Sequence, residues 1–87
     1  MKIEFDPTKR EATFADRGLD FLDAPQVFQG PFITHGDVRW DYPEPRMQTY
    51  GLLNGRLIQV VWTEIPNGIR VISMRKCNER ERGRFNP

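Results

Sequence analysis

Arg46 to Lys76 reads RMQTYGLLNGRLIQVVWTEIPNGIRVISMRK, and its punctuation decides the fold. Three apolar, alternating runs, RMQTYGLL, RLIQVVWTEI and IRVISMRK, are separated by Asn54-Gly55 and by Pro66-Asn67-Gly68. Asn-Gly between such runs predicts a two-residue type I′ hairpin, because that turn requires positive φ at both central positions. Pro66-Asn67-Gly68 predicts a three-residue loop with Gly68 as its left-handed residue.

Loop length fixes register, and register sorts side chains onto faces with period two. The first turn sets Tyr50 opposite Gln59, Gln48 opposite Val61 and Arg46 opposite Thr63. The second sets Gln59 opposite Arg75, Val61 opposite Ser73 and Thr63 opposite Val71. One face then holds Arg46, Gln48, Tyr50, Gln59, Val61, Thr63, Val71, Ser73 and Arg75. The other is mostly apolar and needs a cover: Met47, Leu53, Ile58, Val60, Trp62, Ile72 and Met74, with Thr49, Gly51, Glu64 and Arg70 among them. Glu64 faces Arg70 in this register, which predicts a cross-strand ion pair near the sheet edge. A loop one residue shorter or longer would flip the last strand and move Arg70 to the polar face.

At 87 residues the chain has room for one modest core, so residues 1–87 are read as a single domain. A lone cysteine, Cys77, excludes an internal disulfide, and no residue spacing suggests a metal cluster or a cofactor. There is no long apolar run and no leader-like N-terminus, so a soluble cytoplasmic protein with no membrane partner is expected. The net charge of +1 hides an asymmetry. Residues 1–44 carry five Lys/Arg against nine Asp/Glu, and residues 45–87 carry eight against three. A basic half carried by a sheet is a plausible footprint for a phosphate backbone, against the plainer reading of solvated surface charge.

Upstream, KIEF reads as a short strand. Asp6-Pro7 supplies an N-cap and a proline at the first helical position, and Gly18 supplies the stop. Asp20 caps a second short helix, FLDAPQVF, which starts late or kinks at Pro25 and whose Phe21, Leu22, Ala24, Val27 and Phe28 cover the apolar sheet face. Segment 31–45 holds a strand over Phe32–Thr34 or Val38–Trp40. Asn78 and Glu81 have capping-box spacing and open a short C-terminal helix.

The ordered set FDPTK, RGLDF, APQVF, RMQTYG, NGRLIQVVWTE and IRVISMRK with an E/R-rich tail resembles the BrnT family of type II toxins, over nearly the whole chain. The resemblance implies an α+β, RelE-like fold, with two N-terminal helices on an antiparallel sheet of three to five strands and a short C-terminal helix. It also implies an endoribonuclease that arrests growth and is neutralised by a BrnA-like antitoxin, which alone binds operator DNA. The chain departs from the family pattern at Asp16-Arg17-Gly18 (commonly Lys-His-Gly), Pro45 (commonly acidic), Cys77 (commonly alanine) and Phe85 (commonly tyrosine). These departures leave an alternative: a catalytically degenerate member, or a nonenzymatic nucleic-acid-binding module.

Metal-independent RNA cleavage needs a base for the 2′-hydroxyl, cations for the phosphorane and an acid for the leaving oxygen. Arg46 and Arg75 fit the cationic role, since guanidinium binds phosphate oxygens bidentately. Tyr50, diagonal between them, suits base stacking or proton transfer. His35 is the only histidine, the residue type best matched to acid–base work near neutrality. The family match keeps Glu64 as a catalytic candidate and gives Lys9 a phosphate-holding role. Arg70, Ser73 and Lys76 complete the RNA-binding candidates. Each has a plainer reading: solvated strand residues for the arginines, packing for Tyr50, an incidental loop residue for His35 and helix surface for Lys9.

Overall fold

The computed structural model describes residues 1–87. In chain order it contains β1 (Lys2–Glu4), α1 (Pro7–Arg17), a 3-10 turn (Phe21–Asp23), α2 (Ala24–Val27), β2 (Phe32–Gly36), β3 (Met47–Leu53), β4 (Arg56–Ile65), β5 (Gly68–Lys76) and α3 (Glu79–Arg84). The five strands form one sheet in the order β1-β5-β4-β3-β2. The α+β class is as expected. The sheet is mixed rather than antiparallel, because β1 runs parallel to β5 while the other pairs are antiparallel. A strand therefore precedes the helices, and β2 takes Phe32–Gly36 whereas Val38–Trp40 is not a strand.

The first hairpin forms as read: Asn54 and Gly55 have φ of 51° and 79°, the pair of positive values a type I′ turn needs. The second does not. Ile65 pairs with Gly68, so the loop is Pro66-Asn67 alone, and Asn67 rather than Gly68 is left-handed, at φ 65°. Proline followed by a left-handed asparagine is the type II pattern, which splays hairpin strands. A β-bulge compensates: Val61 pairs with Ser73 but Trp62 pairs with Val71, leaving Ile72 as the extra residue on β5. Bulges increase local twist and bend the strand back into pairing.

That bulge corrects several expectations. On its turn side Thr63 pairs with Arg70 and Glu64 with Ile69, not Thr63 with Val71 or Glu64 with Arg70. Val71 is buried in the core, and Ile72, expected there, is only half-buried at the bulge. Arg70 is exposed and donates to Glu4 across the β1–β5 pair at 3.2 Å, so the Glu64–Arg70 ion pair is absent. On the other side of the bulge the shift cancels the shorter loop. Gln59 pairs with Arg75 and Val61 with Ser73, as expected.

Leu19, Phe21, Ala24 and Val27 cover Leu53, Ile58, Val60, Ile69, Val71 and Met74 to make the core. Leu22, expected among the covering residues, is half exposed. Two glycines permit close approaches. A Cβ on Gly51 would lie 2.7 Å from both Cγ1 and the carbonyl oxygen of Val27, so α2 sits directly on β3. A Cβ on Gly68 would overlap the Lys2 carbonyl, so the glycine serves the docking of β1 rather than the turn. Thr49, fully buried, shares its hydroxyl with Thr34 at 2.8 Å and accepts the Trp62 indole N–H at 2.8 Å, which meets its hydrogen-bonding need inside the core.

Asp6 caps α1 by accepting from the Thr8 amide at 2.9 Å, and Gly18 ends it at φ 69°. The helix buries none of its side chains. It lies along the part of β5 that β1 does not reach, tied there by Arg17, whose guanidinium donates to the Met74 carbonyl at 2.7 Å. Arg10 clamps Asp20 through two hydrogen bonds of 2.8 and 3.0 Å, fixing α1 to the turn that follows it. The edge strands of the sheet are β1 and β2. No helix is long and apolar enough to cross a membrane.

Candidate functional site

Tyr50 stands in the middle of the polar sheet face, paired with Ile33 on one side and Gln59 on the other, with Arg75 next in line. Its hydroxyl accepts from the Gln59 amide at 3.0 Å and donates to the Gln48 carbonyl oxygen at 3.3 Å. His35, two residues beyond Ile33 on the same side of β2, meets the Tyr50 ring edge to face, with centroids 6.1 Å apart.

The C-terminal helix closes over this group. The Asn78 side chain accepts from the Glu81 amide at 2.9 Å and Glu81 returns a bond to the Asn78 amide at 2.9 Å, the capping box expected from their spacing. The cap aims the Glu81 carboxylate at Arg75, which donates to it twice, at 2.8 and 2.6 Å. Between helix and sheet lies a cleft of about 240 Å³ lined by Ile33, His35, Tyr50, Glu81, Arg84 and Phe85. His35, Tyr50 and Arg75 are thus brought together. Glu81 and Arg84 join them from α3, where the sequence marks only the capping box.

The Arg75 hydrogen bonds, helped by the Asn78 amide, hold the Glu81 carboxyl at about 2 instead of its ordinary 4.5. The bond to Glu81 raises the Arg75 guanidinium in turn. A carboxyl lowered by folding stabilises the fold above its unfolded value and loses that contribution as pH falls through its folded value. Stability contributed by this pair is therefore complete above about pH 4.5 and lost toward about pH 2. Thermal melts between those limits should show a steeper acid loss for the wild type than for Glu81→Gln.

The other predicted cation lies elsewhere. Arg46 is four residues from Tyr50, about 13 Å along β3 at the usual strand rise. It stacks on the Tyr42 ring, 4.1 Å from the centroid, and reaches Glu44 at 3.4 Å. It belongs to a tight loop, residues 37–46, closed at its base by the Asp37 amide on the Arg46 carbonyl at 2.7 Å. The buried Asp37 carboxylate accepts from Arg39 twice, at 2.9 and 2.8 Å, and from the Tyr42 hydroxyl at 3.2 Å. The Arg39 hydrogen bonds hold Asp37 far below the usual carboxylate range. Thr63, on the polar face, donates to the Pro45 carbonyl at 2.6 Å and pins the loop to β4.

Glu64 is exposed, beside Pro45, Met47, Trp62 and Thr63, away from the Tyr50 cleft. Lys9 and Ser73 share a shallow groove between α1 and β5 with Arg17 and Ile72. Lys76 pairs with Ile58 and alternates to the side opposite Arg75, so it does not join the polar face. Cys77 is buried, and that burial pushes its thiol up. No three His, Cys, Asp or Glu side chains converge to hold a metal ion.

The architecture is that of a small α+β domain with an imidazole, a phenol and one guanidinium group on one sheet face, and a second guanidinium, Arg84, brought to them by a short helix. The family described as "Ribonuclease toxin, BrnT, of type II toxin-antitoxin system" matches residues 5–81, and the chain belongs to this family. Membership in a type II system implies a protein antitoxin as partner. A search among curated proteins returned no match.

Proposed function

We propose that this chain is a RelE-like endoribonuclease toxin of the cytoplasm that cuts single-stranded RNA without a metal and arrests growth until a BrnA-like antitoxin covers it. The observation that carries this reading is the convergence of His35, Tyr50 and Arg84 around one cleft on the polar face, with Arg75 held beside it through Glu81. In the proposed reaction the 2′-oxygen attacks phosphorus and the P–O5′ bond breaks, leaving a 2′,3′-cyclic phosphate and a free 5′-hydroxyl. The 2′ proton passes to the His35 imidazole, the leaving O5′ takes a proton from the Tyr50 hydroxyl, and the imidazolium returns its proton to the phenolate through water, which restores both groups. Arg75 and Arg84 stabilise the charge on the phosphorane. Glu81 is a positioning residue: it occupies both terminal nitrogens of Arg75 and leaves the Nε edge without a hydrogen bond, open to a phosphate oxygen. The groove of Lys9, Arg17 and Ser73 extends the cationic track along β5.

A second reading draws on the same ion pair. With Arg75 already bound to Glu81, the face would hold RNA without cutting it.

The test uses purified protein and a labelled oligoribonucleotide, with and without a chelator, beside a substrate carrying a single 2′-deoxy residue at the cut. Cleavage that survives chelation, ends in a cyclic phosphate, stops at the deoxy site and falls sharply in His35→Ala supports the ribonuclease reading. Salt-dependent binding with no product supports the second. In cells, induced wild type should stop growth and degrade RNA, and coexpressed antitoxin should reverse both.

A further inference from the structure

The loop of residues 37–46 exposes Val38 and Trp40, 90% and 73% accessible, at the tip of a framework that is otherwise closely bonded. An indole this open gains nothing for the fold, yet the backbone beneath it is fixed by a buried carboxylate with three side-chain hydrogen bonds. Pro43 and Pro45 stiffen its return to β3. Rigid loops that display aromatic groups are the usual way a scaffold presents a recognition element.

The surroundings indicate what is recognised. Two of the three loop carboxylates are neutralised, Asp37 by Arg39 and Glu44 by Arg46, leaving Asp41 alone. Arg46 lies flat on Tyr42, an arrangement that presents a planar guanidinium beside an aromatic ring. Trp40, Tyr42 and Arg46 share the wall of one open cleft. Two exposed apolar side chains are too few for the desolvated centre of a protein interface, whereas one indole face suffices for one base. The loop also rests on the polar sheet face through Thr63, the face that carries the Tyr50 cleft. A strand of RNA leaving that cleft along β3 passes Gln48 and reaches Arg46 within a few nucleotides.

We infer that Trp40, with Tyr42 and Arg46 on the same cleft, forms a base-stacking subsite for single-stranded RNA on the flank of the cleavage site. This rests on the ribonuclease reading. The subsite contributes binding energy at a distance from the reacting phosphate, so it acts on KM and leaves kcat in place. Stacking is tolerant of base identity, so the subsite extends the footprint rather than setting a sequence.

The test is titration of the wild type with an oligoribonucleotide blocked by one 2′-deoxy residue, followed by tryptophan fluorescence and by protection from acrylamide. The second tryptophan, Trp62, is half-buried and donates its indole N–H to Thr49, so an acrylamide-sensitive signal belongs to Trp40. RNA should quench that signal and shield it from acrylamide. Trp40→Ala should weaken binding and raise KM by about tenfold with kcat unchanged, and Trp40→Phe should recover most of the loss. The inference is overturned if RNA that binds and is cleaved leaves the acrylamide-sensitive signal unshielded. It is also overturned if Trp40→Ala keeps the wild-type KM, or loses antitoxin binding while RNA binding stands. A wild type that neither binds nor cleaves RNA would instead defeat the ribonuclease reading beneath it.

Discussion

Arg75→Ala lowers kcat for oligoribonucleotide cleavage by at least about a hundredfold, the usual consequence of removing one preorganised charge-stabilising group. Arg75 is the one guanidinium in register with Tyr50, across Gln59, and its position is fixed by two bonds to Glu81. The substitution leaves the fold in place, because Arg75 is only part-buried and the Glu81 carboxylate, relieved of its partner, is accessible enough to be solvated. Far-UV circular dichroism therefore stays near the wild type, and the melting temperature falls only by what the Glu81 pair contributes, while activity is lost. Arg75→Lys keeps the charge but not the two-pronged hold on Glu81, and recovers only part of the rate. Full activity in Arg75→Ala would move the reaction off this cleft. The Arg46 loop would then be the next place to look.

Phe21→Ala should cost about 3–5 kcal/mol, since it removes a ring that is 1% exposed at the centre of the core. The ring meets Phe5 edge to face at 6.1 Å and lies in the cluster that joins Leu19 and α2 to β4 and β5. In a domain of this size each kcal/mol moves the melting temperature by about 4–8 °C, so the variant should melt about 12–40 °C lower. Chemical denaturation should show the same loss, with the midpoint moved and the slope preserved. A change below about 1 kcal/mol would mean that the 3-10 turn closes the space without a cavity. Leu22→Ala, half exposed one residue away, is the internal comparison and should change little.

The sequence was most informative where a feature needs only its neighbours. The Asn54-Gly55 turn, the Asp6-Pro7 start and Gly18 stop of α1, and the Asn78–Glu81 capping box all form as read, because each is decided within about four residues. Tyr50, Gln59 and Arg75 were legible as one row for the same reason: alternation carries a correct turn through a whole strand. His35 was legible as chemistry but not as position, and only the pairing of β2 with β3 brings its ring to Tyr50.

Tertiary structure decided what depends on partners far along the chain. The bulge at Ile72 exists because Ile69, Val71 and Met74 must all reach one core, and no local signal marks it. It moved Arg70 to Glu4 and left Glu64 without the partner its spacing suggested. Gly68 is read as a turn residue until β1 is seen lying against it. The capping-box glutamate becomes part of the site only when α3 folds back over β5, and Arg46 meets Tyr42 and Glu44 only when the loop of residues 37–46 closes. Local chemistry thus determined which turns, caps and strands this chain makes. Their assembly determined which charges meet, because a charge finds its partner only after the core has brought distant segments together.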